Sequence, residues 1–176
     1  MHRAALRIAA VFLTLAPTSA LAHPGHAGAS LISGFTHPLG GFDHIIAMVA
    51  VGVLAARLGG RSLWLVPASF IAAMAVAGLA GRAGMGLPYV EIGITVSVAV
   101  LGVVALFGVA MPVAVAMGLV AFFAIFHGYA HGIEMPETMS GLAYGAGFVT
   151  ATAILHGIGI GLALAIAGER LRAKAN

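Results

Sequence analysis

Two short stretches concentrate the chemistry of this chain. Phe126-His127-Gly128-Tyr129-Ala130-His131-Gly132-Ile133-Glu134 carries two imidazoles and a carboxylate, and His37-Pro38-Leu39-Gly40-Gly41-Phe42-Asp43-His44 carries the same set again. Residues four apart share a face of a helix, so His127 and His131 line up, and Glu134 falls on that face one turn on. Imidazole nitrogen and carboxylate oxygen suit divalent transition metals: nickel, cobalt, zinc or copper(II), with the affinity order alone favouring copper. The sequence has no cysteine, which removes thiolate ligands and disulfides from consideration. Asp43 taken alone reads as a first-turn carboxylate that complements a helix dipole. For His127, His131 and Glu134 the plainer reading is a helix end whose histidines satisfy backbone carbonyls or sit among lipid headgroups, and three ligand-type groups on one helical face outweigh it.

The rest of the chain says where these groups must sit. Of 176 residues, 61% are hydrophobic and only 7% charged, with a mean hydropathy of +1.10. A soluble domain carries about a quarter charged residues. The fold class is therefore an all-α integral membrane protein, a compact bundle of transmembrane helices. Ionisable groups at membrane depth are costly and mark functional positions. The eight Lys and Arg residues are scattered, so they form no nucleic-acid surface. Nor does the sequence contain a Gly-x4-Gly-Lys-Ser/Thr loop, so this chain does not itself bind ATP in that way.

Residues 1–22 read as a secretory signal peptide, with Arg3 and Arg7 ahead of a short apolar core and Ala20-Leu21-Ala22 as the cleavage pattern. Cleavage would leave His23 as the N-terminus with His26 nearby, an amine and two imidazoles that make a metal-collecting tip. The segment 23–40 is expected outside the membrane, with 27–39 a short interfacial or re-entrant helix broken at Pro38, Gly40 and Gly41. Five spans are expected within 41–168, at about 42–58, 63–80, 89–107, 112–131 and 141–167, followed by a basic tail at 169–176. With the N-terminus outside, Arg57, Arg61, Arg170, Arg172 and Lys174 are cytoplasmic and Arg82 alone is external, five against one, which follows the positive-inside rule. Gly141, Gly145, Gly157, Gly159 and Gly161 are expected to let helices approach closely. This topology collects His37, Asp43, His44, Glu91, His127, His131 and Glu134 at the outer ends of the helices. His156 alone falls near the middle of a span, where a histidine needs a partner or a polar path. Glu91 and His156 are candidates for a relay or for additional ligation.

The patterns His-x5-Asp-His at 37–44 and Phe-His-Gly-x-Ala-His-Gly-x-Glu at 126–134, behind a signal peptide ending at His-Pro-Gly-His, resemble the HupE/UreJ family of membrane proteins. The resemblance covers essentially the whole mature chain. It implies uptake of nickel, in some members cobalt, for hydrogenase or urease maturation. It also implies that His37, Asp43, His44, His127, His131 and Glu134 recognise and pass the metal. Members are usually drawn with six or seven spans including the signal sequence. The five read here make six on that count, so the number of spans is the one point at which this chain could depart from the pattern. The expectation is thus a secondary permease in the bacterial inner membrane, N-terminus periplasmic and C-terminus cytoplasmic. Its partners are Ni2+ or Co2+ as transported substrate and the surrounding lipid, with no prosthetic group. Two other classes use the same residue types: an intramembrane zinc metalloenzyme and a haem-binding electron carrier with histidine axial ligands.

Overall fold

The computed structural model describes residues 30–135 and 140–175, with side chains described up to Gly168 except at Ser140. The signal-peptide reading, His23 and His26 lie outside these residues. Every regular element among the described residues is helical: α1 (Leu31–Thr36), a 3-10 turn (His37–Leu39), α2 (Phe42–Leu58), α3 (Ser62–Arg82), α4 (Val90–Phe107), α5 (Val113–Glu134) and α6 (Ser140–Ala175). A backbone inside hydrocarbon must satisfy its own polar groups, and a helix does so within one segment.

Four helices, α3, α4, α5 and the Gly141–Gly168 part of α6, are long and apolar enough to cross a membrane. Leu31–Leu39 and α2 meet the same test of length and composition only when taken together, and the pair is bent by 85° at the Gly40-Gly41 break. The short helix expected before the first span is present as α1 and its 3-10 turn, at a steep angle to α2. Large apolar side chains cover the outside, among them Trp64 at 79% exposure, Phe107 at 70% and Val76 at 69%. An apolar surface this extensive belongs against lipid. The protein is a multi-pass membrane protein.

The helix ends follow local chemistry. Gly108 closes α4 in the left-handed conformation (φ 63), its N–H donating to the Val104 carbonyl. Two spans outrun the sequence expectation. α5 continues to Glu134 rather than stopping at His131, because no breaker intervenes before Met135, which turns extended (ψ 125) ahead of Pro136. α6 runs on to Ala175 through a segment rich in Ala, Glu, Arg and Lys, all good helix formers.

Close approaches between helices occur at glycines, although mostly not those expected. α3 and α5 make the most extensive contact. A Cβ on Gly128 would overlap the Met74 carbonyl, and one on Gly132 the Gly78 carbonyl. α1 lies on α6 in the same way, at Gly34 against Tyr144 and Gly147 against Leu31. α2 lies on α6 at Gly52 against His156 and Gly159 against Val49. Of the glycines expected to do this, Gly159 does. Gly157 and Gly161 face open space and Gly145 meets only the end of the Met135 side chain. The reason is angular: residues two apart on a helix point nearly opposite ways, so 157 and 161 share a face that 159 cannot. The core of Met48, Val51, Leu54, Phe70, Leu101 and Val120 fills the space between the helices.

Candidate metal centre

Histidine and glycine alternate on α5. Gly128 and Gly132 press the helix against α3, and the residue before each of them, about 100° round the helix, is His127 and His131. The glycine contact thereby turns both imidazoles toward the start of α2, where His44 stands in the first turn. The 3-10 turn brings His37 to the same place, with Pro38 buried behind it.

The donor atoms form a continuous run. His37 Nε2 lies 3.4 Å from Glu134 Oε2, and the same oxygen lies 3.3 Å from His131 Nδ1. One donor atom from each of these three residues fits within 4.8 Å of the others, a group that could hold a metal ion. His131 Nε2 is 2.9 Å from His44 Nε2, which is in turn 3.3 Å from His127 Nδ1. Two nitrogens bonded to one ion at about 2.0–2.1 Å stand about 2.9 Å apart at right angles and about 3.4 Å apart at the tetrahedral angle. The observed spacings fall in that range. His131 belongs to both halves of the run, one ring nitrogen facing the outer group and the other facing the inner one.

Exposure falls along the run. The side chains of Glu134, His37 and His131 are 55%, 38% and 13% exposed, and His44 and His127 are 5% and 0% exposed as residues. Apolar rings brace the imidazoles: the Phe148 ring sits 4.5 Å from that of His131 and 5.8 Å from that of His44, and Tyr144 is 5.8 Å from His37. The buried donors are thus enclosed by packing, and the outer ones stand at the surface.

Not every residue singled out in the sequence joins this run. Asp43 occupies the first turn of α2 beside His44 but is exposed, and it makes no hydrogen bond or ion pair with another described residue. One position along a helix is a turn of 100°, which carries its carboxylate away from the imidazoles. Glu91, in the first turn of α4, is also exposed and stands outside the run. His156 is 1% exposed, and neither ring nitrogen has a hydrogen-bond partner among the described residues. Its ring meets Phe70 edge-on at 5.3 Å, and the Phe70 ring lies 6.1 Å from that of His127. Phe70 is thus a neighbour of both His156 and the run.

The sequence reading missed Ser97 and Phe148. Ser97 Oγ lies 2.7 Å from His127 Nε2, and the residue is completely buried. Its only signal is a hydroxyl amid Val96 and Val98 in an apolar span. Phe148 carries no signal at all, since a phenylalanine in such a span is ordinary.

A profile of the family described as HupE / UreJ protein matches residues 11–175. Protein HupE of Rhizobium leguminosarum bv. viciae is 47% identical over 147 residues, covering 84% of this chain and 77% of that relative. No solved structure matches the chain. The two motifs that meet in the run of donors lie inside the matched region, and the chain belongs to the HupE/UreJ family.

Proposed function

We propose that this protein is a secondary permease that takes up Ni2+, with Co2+ as a second cargo, from the periplasm into the cytoplasm. The observation that carries the reading is the run of five donor side chains whose exposure falls from Glu134 to His127. An incoming hydrated ion meets carboxylate and imidazole first at His37, His131 and Glu134. It then exchanges water for nitrogen stepwise as it moves to His44 and His127, with His131 in contact throughout. Asp43 and Glu91, exposed at the same end of the bundle, add negative charge around the mouth. His23 and His26 serve as a collecting tip. Beyond Phe70, His156 is the next donor on the way in.

A transport site must hold its ion firmly enough to admit it and loosely enough to release it. Mixed imidazole and carboxylate ligation without thiolates fits that requirement. The membrane potential supplies the driving force. A divalent cation moving inward gains about 4.6 kcal/mol per 100 mV, roughly three decades of accumulation. Arg57, at the end of α2 remote from His44, supports placing that end in the cytoplasm. The ion is the cargo, and no prosthetic group is required.

Labelled nickel accumulation in cells tests the reading. At matched amounts of membrane protein, His127→Ala is expected to reduce accumulation to the level of cells lacking the protein. Undiminished accumulation overturns the proposal. Competition by cobalt, zinc and copper, with and without a collapsed potential, then defines the cargo and the driving force.

A further inference from the structure

Ser97 is fully buried on α4, and its hydroxyl makes two short contacts. Its Oγ lies 2.6 Å from the Ile94 carbonyl oxygen and 2.7 Å from His127 Nε2. A hydroxyl has one proton to give. A carbonyl oxygen can only accept, so at 2.6 Å the proton must lie on the line to Ile94. The reverse assignment, with the proton directed at His127, would leave two lone-pair-bearing oxygens in van der Waals overlap inside a dry helix bundle. Ser97 Oγ therefore accepts from His127, and His127 Nε2 carries its proton. A neutral imidazole has a single N–H, so His127 Nδ1 keeps its lone pair. That nitrogen is the one 3.3 Å from His44 Nε2.

We propose that Ser97 is a positioning residue that holds His127 in the Nε2–H tautomer, so that its Nδ1 lone pair is presented to the cation. The identity of the cation rests on the uptake reading; the tautomer does not. Ser97 never touches the ion. It fixes both the rotation of the ring and the nitrogen that binds, as outer-shell partners of metal-ligating histidines do. Because Ser97 is on α4 and His127 on α5, it also ties the innermost ligand of the run to a third helix, beyond α2 and α5.

The test uses full-length protein in detergent, labelled with 15N-histidine and with the His127 resonances assigned by their absence in His127→Gln. In the wild type, His127 is expected to show a single Nε2–H tautomer. In Ser97→Ala both tautomers are expected, with nickel affinity by titration calorimetry falling about 10- to 100-fold. Ser97→Thr keeps the hydroxyl and is expected to restore the single tautomer and most of the affinity. A purely structural role for Ser97 would not move the tautomer. A wild-type proton on Nδ1 overturns the proposal, as does a Ser97→Ala protein that keeps both the Nε2–H form and full affinity. If Ser97→Ala does not fold, the wild-type tautomer and Ser97→Thr decide. Wild-type protein that shows the fixed tautomer but binds no nickel would leave the role of Ser97 standing and refute the cargo.

Discussion

His127 and His156 are buried to nearly the same degree and both neighbour the Phe70 ring, yet their surroundings differ. His127 has a partner at each ring nitrogen, Ser97 at one and His44 at the other. His156 has none. A buried polar group without a partner costs about 1–3 kcal/mol, so His127 sits in the fold at little expense while His156 weighs against it. Burial alone therefore does not identify a ligand. What separates the two is whether the fold has spent other residues on orienting the ring. By that measure the imidazoles of the outer run are oriented by partners, and His156 is not oriented by any described residue.

Substitutions can break or sharpen this contrast. The largest effect is expected at His44, whose Nε2 links the two halves of the run. His44→Ala should lower labelled nickel uptake by a hundredfold or more, and uptake within a few-fold of wild type would show that the halves work without it. Gly128→Val comes next, because its side chain would be driven into the Met74 carbonyl. Separating α3 from α5 should destabilise the bundle by several kcal/mol, about the scale of severe overpacking, and remove metal binding with it. Thermal unfolding in detergent together with calorimetric titration would show whether stability and binding fall as one.

Glu134→Gln removes the outermost charge but keeps the shape. It is expected to raise the half-saturating nickel concentration about tenfold while changing the maximal rate much less, since Glu134 belongs to capture and not to passage. The smallest effect on uptake, and one of opposite sign on stability, is expected at His156. His156→Leu should raise unfolding stability by about 1–3 kcal/mol by deleting the unpartnered nitrogens and slow uptake only several-fold. A destabilised His156→Leu protein would mean that the imidazole is satisfied in a way the contrast with His127 does not allow.

The sequence made much of this legible. Long apolar runs can do little else than span, and Pro38, Gly40 and Gly41 marked the bend before α2. The histidines at 127 and 131 announced themselves by spacing. Asp43 enters the set through the His-x5-Asp-His pattern, and the structure shows it exposed in the first turn of α2 beside His44. The spacing of Gly157, Gly159 and Gly161 announces a close contact, but which of them makes it depends on the face that α2 meets, and that is Gly159. Ser97 and Phe148 stayed hidden because their roles depend on which helices touch, and no local pattern encodes that.

The alternation of histidine and glycine on α5 has a mechanical consequence. At Gly128 and Gly132 the helix rests backbone on backbone against α3, with no side chain between them to compress or swing aside. A hinge or spacer of flexible side chains would let His127 and His131 drift apart to suit ions of different radius. Here the two rings are mounted where backbone meets backbone, and His37 is carried by a short segment bent by 85° from α2. If the run takes up an ion as proposed, the distance between His127 and His131 is set by α5, and the position of His37 by the turn that faces it.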